Sequence, residues 1–553
     1  MLGFNGIIGL LALTSTAKGL RRSSQPISEL KKQIRGASTT LVTAQSDPAP
    51  FYPQYTLSIP VDHFHNDSLY VPHSNDSFEN RYWFDATYYK PGGPVIVLMG
   101  GEDDGTDRWP FLQKGIVYEL AKAHGGLGVI LEHRYYGTSI PTKDLSTESL
   151  RFLTTDQALA DAAYFAKNVK FAGLEDCDLS PETTPWIAYG GSYAGAFVAF
   201  LRKLYPDVYY GAISSSGVPA AIWDYWQYYN AATNFGPQPC VSITQKVTDI
   251  IDGIILRQDN STYVKQLKTL FGLPNVTHIT DFANTVTGGG LTLLQDYNWD
   301  LTSSGASDEF FTYCDIVSSP NVTYPKTESL RGTVTELMRV AGYGHEIDTL
   351  TNHVLNFVGY TLNGTASCTN EDQDECYGTY NATFYAQDDL TQTWRTWPYQ
   401  VCTQWGFLQT GSGVPRNQLP LISRVIDLEY TSIQCRDAFN LTKPADVDAI
   451  NKYGAFNISY PRLAFLDGQW DPWRDAGVNV VGIPERNSTT SEPYILIAKA
   501  VHHWDENGLF PNETTPQLPP PPVANAHHQE AVFVGEWLKD FKDEKWSTSK
   551  RKS

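Results

Sequence analysis

Short, unbroken apolar runs, each followed by an amphipathic stretch, dominate residues 51–219. The first is 94–99, closed by Gly100 and Gly101. The pattern then predicts a helix over 109–123 and a strand at 128–131. Thr154-Thr155-Asp156-Gln157 reads as a capping box opening a helix to about Val169. A strand at 186–189 is followed by Ala194, Phe197, Val198, Leu201 and Leu204 at helical spacing, stopped by Pro206. Residues 212–215 read as another strand. Strands that are apolar on both faces and alternate with helices imply a parallel sheet covered on either side.

The pattern changes over 220–456, which reads as helical and loop-rich and holds six of the seven cysteines. Strand-like runs return at 462–466 and 494–501, and an amphipathic helix at 529–541 follows the proline run at 519–522. The chain therefore divides into a first α/β part (51–219), an inserted helical cap (220–456) and a second α/β part (457–545). A basic tail at 546–553 carries Lys550, Arg551 and Lys552. No internal repeat is evident.

An apolar stretch at 7–13 followed by Ser15, Thr16 and Ala17 is too short to span a bilayer, and reads as a signal peptide over 1–17. Residues 18–50 form a basic, Ser/Thr-rich leader, read as a propeptide or a floppy segment. No later run is long and apolar enough for a membrane anchor. Asn-x-Ser/Thr acceptors stand at Asn66, Asn75, Asn260, Asn275, Asn321, Asn363, Asn381, Asn440, Asn457, Asn487 and Asn512. Eleven in one chain imply a glycosylated, secreted protein, with a vacuolar or lysosome-like compartment as the alternative. In an oxidising compartment the seven cysteines give up to three disulfides and one leftover thiol, with Cys368 and Cys376 closing a short loop.

A hydrophobic content of 41% excludes a wholly disordered chain, and a net charge of −19 without a basic patch argues against nucleic-acid binding. The acidity also suits a protein that works at low pH. No spacing calls for a cofactor or a metal.

Candidate chemistry centres on Gly190-Gly191-Ser192-Tyr193-Ala194-Gly195, between a predicted strand and a predicted helix. A nucleophile elbow needs that setting: small neighbours allow a strained turn that projects Ser192 from the sheet. A serine hydroxyl needs a base to take its proton. In α/β-hydrolases the order along the chain is Ser, acid, His. Asp471 follows one late strand and His502 follows the next, with Asp467 and His503 as competitors. The backbone N–H groups of Tyr193 and Gly101 are the expected oxyanion donors. Glu102, beside Gly101, is a candidate substrate contact.

These motifs resemble the serine carboxypeptidase family of Pro-Xaa carboxypeptidase and dipeptidyl peptidase II, most nearly its secreted fungal prolyl peptidases. The resemblance rests on Glu132-His133-Arg134-Tyr135-Tyr136-Gly137, Gly190-Gly191-Ser192-Tyr193, Asp471-Pro472-Trp473 and His502-His503. Weaker matches lie at 152–161 and 399–404. It implies an α/β-hydrolase core with a large inserted, mainly helical cap, and Ser192, Asp471 and His502 as a triad. It also implies proline-containing peptides as substrates, for which Trp473 is the candidate pocket wall. Ala194, Gln404 and Asn507 depart from the family pattern, which leaves carboxypeptidase, dipeptidyl peptidase and endopeptidase modes open. An esterase or lipase using the same triad, or an inactive hydrolase fold serving as a binding module, are the alternatives.

Overall fold

The computed structural model describes residues 24–39, 52–256, 261–303, 305–368 and 372–552. The expected signal peptide and Asn260 lie outside them. Eight strands form one sheet in the order β1-β2-β4-β3-β5-β6-β9-β10. They are β1 (Tyr55–Pro60), β2 (Ser77–Asp85), β3 (Val95–Met99), β4 (Leu127–Leu131), β5 (Trp186–Gly191), β6 (Gly211–Ser215), β9 (Leu463–Gly468) and β10 (Tyr494–Ile497). Two further strands, β7 (Ile222–Asp224) and β8 (Gly406–Leu408), pair in parallel outside the sheet.

From β4 to β10 neighbouring strands run parallel, and β3, β4 and β6 are buried at every residue. That two-sided burial is why their sequences show no polar alternation. β1 and β2 add an antiparallel edge that the sequence reading missed. Their burial alternates only partly, and Asn80 and Arg81 interrupt the apolar pattern.

Between β6 and β9 lies the insertion, mainly helical, closed by three disulfides: Cys240–Cys314, Cys368–Cys376 and Cys402–Cys435. Cys177, outside it, is the free thiol. The architecture is an α/β-hydrolase core with a helical insertion over the carboxyl ends of its strands.

Several expected elements differ in extent. The helix expected over 109–123 is two helices, Pro110–Gln113 and Ile116–His124. They break at Gly115, where a Cβ would meet the Glu506 carbonyl oxygen at 2.8 Å. The strand expected to reach residue 501 ends at Ile497, and a turn with Lys499 at φ 61° leads on to His502. The C-terminal helix runs much further than 529–541, from Pro521 to Lys552. Part of the leader, Ile27–Thr39, is a helix docked on the insertion rather than a floppy segment. Ile27 and Leu30 are buried there, Ile27 N–H donates to the Gly378 carbonyl at 3.0 Å, and Ser28 Oγ donates to the Cys376 carbonyl. Among the described residues no helix is long and apolar enough to cross a membrane.

Candidate active site

β5 delivers the chain to Ser192 in a conformation few residues adopt, φ 60° and ψ −124°, and the helix Tyr193–Leu204 begins at the next residue. A strained residue persists only where its surroundings fix it. Here Ser192 N–H donates to the Ser215 carbonyl of β6 at 2.9 Å. Small neighbours are obligatory: a Cβ on Gly191 would come within 2.9 Å of a Glu506 carboxylate oxygen. Ala194 fits because both residues it faces are glycines. A Cβ on Gly101 or Gly190 would lie 3.3 Å or 3.1 Å from its methyl group.

The structure brings together the three residues singled out in the sequence. His502 Nε2 lies 2.8 Å from Ser192 Oγ, and His502 Nδ1 lies 2.8 Å from Asp471 Oδ2. Asp471 Oδ1 accepts the Trp473 N–H at 2.8 Å, so both carboxylate oxygens are engaged. All three side chains are buried. Because Asp471 as a carboxylate can only accept, His502 carries its proton on Nδ1 and turns a bare Nε2 toward the serine hydroxyl. Burial holds the His502 pKa below the usual histidine value, against the pull of Asp471.

The competitors lie elsewhere. His503 turns away to within 3.1 Å of the Glu506 carboxylate, a charge contact without hydrogen-bond alignment. Its pKa is raised, the Glu506 charge outweighing burial. Asp467 accepts from Asn479 Nδ2 at 2.6 Å, and burial pushes its pKa up to about 7.

Gly101, at φ 67°, belongs to the turn after β3. Arg108 clamps that turn: Nε donates to the Gly100 carbonyl at 3.1 Å and Nη2 to Asp103 at 2.9 Å. Glu102 is buried beside it. Trp473 is also buried, its ring centroid 6.5 Å from that of His502. It stacks on Tyr225 at 5.2 Å, and its Nε1–H donates to Gln295.

Glu132-His133-Arg134-Tyr135-Tyr136-Gly137, specific in sequence but silent about chemistry, is the platform beneath this site. Glu132 pairs with Arg81 and accepts the Gly105 N–H at 2.8 Å. Arg134 pairs with Asp161 through two nitrogens at 2.5 and 2.6 Å and donates to the Val61 and Phe152 carbonyls. Gly137 is required, since a Cβ there would overlap the Glu132 carboxylate. Sequence reasoning gave no roles to His133, Gln400 and Arg108. For the first two the signal was present, because both fall within the quoted motifs.

Sheet order, a serine on a strained turn after β5 and a buried His–Asp pair hydrogen-bonded to it define an α/β-hydrolase of the serine-nucleophile class. Comparison with known proteins narrows this. The family model for serine carboxypeptidase S28 matches residues 60–518, and the chain belongs to that family. A "Probable extracellular serine carboxypeptidase" of Arthroderma benhamiae is 50% identical over 517 residues, covering 93% of this chain and 72% of the relative. "Serine protease vicPa" of Bipolaris victoriae is 30% identical over 452 residues, covering 79% of this chain and 82% of the relative. The protein is thus a serine-type peptidase.

Proposed function

We propose that this chain is an extracellular peptidase cleaving beside proline, with Ser192 as nucleophile, His502 as general base and Asp471 orienting the imidazole. The observation that carries the reading is the pair of 2.8 Å contacts linking the three side chains. His502 takes the serine proton as Oγ attacks the scissile carbonyl, forming a tetrahedral intermediate. The Tyr193 and Gly101 N–H groups stabilise its oxyanion. His502 then gives the proton to the leaving amine, and water hydrolyses the acyl-enzyme by the same route.

Preference for proline is supported by Trp473 beside His502, with Tyr225, Phe407 and Tyr228 packed against it. Such flat apolar faces suit a ring without an N–H. Glu102, beside the oxyanion turn, is the proposed charged contact to the peptide. An extracellular setting is supported by the printed description of the Arthroderma relative and by three disulfides. It is further supported by the exposure of Asn66, Asn75, Asn275, Asn321, Asn363, Asn381, Asn440, Asn457, Asn487 and Asn512, the proposed glycan acceptors.

The test is a panel of fluorogenic peptides: proline with a free amino terminus, proline with a blocked amino terminus, proline followed by one residue with a free carboxylate, and alanine replacing each proline. Turnover of at least one proline peptide well above its alanine counterpart is expected. Equal turnover of proline and alanine peptides, or of simple esters alone, would contradict the reading.

A further inference from the structure

Tyr193 contributes more than a backbone N–H. Its side chain is fully buried and its hydroxyl is held from two sides. Gln400 Nε2 donates to it at 3.0 Å, and His133 Nε2 lies 2.9 Å from it. Tyr136 O–H donates to Gln400 Oε1 at 2.5 Å, and His133 Nδ1 faces the Arg134 carbonyl at 2.7 Å.

Chemistry fixes the direction of every bond in this chain. A carbonyl only accepts, so His133 bears its proton on Nδ1. Burial pushes the His133 pKa down to about 4, which keeps the ring neutral and leaves Nε2 bare to accept. Tyr193 O–H must therefore donate to His133, and its oxygen accepts from Gln400. Gln400 in turn has its amide orientation set by the Tyr136 hydroxyl. The relay runs Tyr136, Gln400, Tyr193, His133 and the Arg134 carbonyl, and joins the insertion, the elbow and the segment after β4. Around it, Trp397, Trp405 and Phe197 pack their rings against Tyr193 with centroids 5.1–6.3 Å away.

The elbow gives this arrangement a purpose. Ser192 is strained, and its own N–H is tied to β6 on the upstream side. On the downstream side the next peptide N–H, that of Tyr193, stands at the start of a helix, where the first N–H groups have no acceptor within the helix. We propose that His133 and Gln400 are positioning residues that aim the Tyr193 N–H at the developing oxyanion by anchoring the Tyr193 phenol. This rests on the reading of Ser192 as the nucleophile and deepens it. The relay also spans two parts of the chain, since Gln400 belongs to the insertion, whereas Tyr193 and His133 belong to the core.

The experiment measures second-order labelling of Ser192 by an alkyl fluorophosphonate, together with kcat and KM on the best peptide of the panel above. The variants are Tyr193→Phe, Gln400→Leu, His133→Gln and the double variant Tyr193→Phe/Gln400→Leu. Active-site titration normalises each rate to folded protein. Removing an oxyanion donor outright costs about 10²–10³ in kcat, so a donor merely left loose should cost about tenfold. Tyr193→Phe and Gln400→Leu should each lower kcat and labelling by about tenfold with KM unchanged. The double variant should be no slower than either single one, because both cut the same relay. His133→Gln, which keeps an acceptor, should retain more activity than Tyr193→Phe. Wild-type rates in Tyr193→Phe, single losses that multiply in the double variant, or an effect confined to KM would each overturn the proposal. Labelling reads the oxyanion donor without assuming a proline substrate. A wild-type protein that labels at Ser192 but cleaves no proline peptide would count against the function reading alone.

Discussion

Asp467 and Asp471 stand four residues apart, and their surroundings give them opposite chemistry. Asp471 lies past the end of β9, with one oxygen on His502 and the other on the Trp473 N–H. Asp467 is part of β9 itself, faces Asn479 and is pushed by burial to a pKa of about 7. A raised carboxyl keeps its proton in the folded chain at pH values where the unfolded chain has lost it. Its stabilising contribution is therefore complete below the unfolded value near 4 and disappears as pH rises through about 7. Replacing it with the uncharged isostere should remove that dependence. Asp467→Asn is expected to unfold at a higher temperature than wild type at pH 8, by the equivalent of roughly 2–4 kcal/mol. At pH 4 the two should differ little. Thermal melts of both proteins across that range check it, and parallel curves would contradict the assignment.

At the scale of elements, the proposed chemistry rests on an elbow with no spare room. Gly191→Ala would drive a methyl group against the Glu506 carboxylate, which pairs with His503 next to His502. A displacement of about 1 Å at a reacting group costs on the order of a hundredfold in rate. This variant should therefore lose at least tenfold in kcat while its melting temperature falls only modestly. Unchanged kcat would mean that the elbow has slack. The central strands were readable in sequence because burial on both faces leaves unbroken apolar runs, as in β3, β4 and β5. Ser192, Asp471 and His502 were readable because a small-residue turn and two strand ends fix their order. The edge pair β1 and β2 was not, since Asn80 and Arg81 of β2 are polar residues turned inward to Glu132 and Ser139, which breaks the alternation a half-exposed edge would show. The roles proposed for His133 and Gln400 were not readable from their motifs alone: they lie in contacts to Tyr193 across 60 and 207 residues of chain. The docked leader helix was legible in hindsight, as Ile27, Leu30 and Ile34 recur at helical spacing along a basic, polar stretch.

Across the whole molecule, acidity on the surface is matched by acids in the interior. The chain carries a net charge of −19, and several buried carboxyls are held above their ordinary pKa by burial, among them Asp467, Asp505 and Glu530. Glu530, on the C-terminal helix, is fully buried, neither of its oxygens has a hydrogen-bond partner among the described residues, and burial holds its pKa well above the ordinary value. Each such group loses its stabilising contribution as pH rises through its folded pKa. Asp62, Asp161 and Glu506 act in the opposite sense. Hydrogen bonds and cations keep them below the ordinary range despite burial, and their contribution is lost as pH falls. The lowered pKa of His502 favours the neutral imidazole that the proposed general base requires.

The proposed function turns on one hydroxyl meeting one imidazole at the mouth of the sheet. The direct measurement is kcat of Ser192→Ala beside wild type, on the best peptide of the panel, with both proteins matched for folding by circular dichroism. A loss of about a millionfold, as for other triads stripped of their nucleophile, is the predicted result. Turnover within tenfold of wild type would contradict the account.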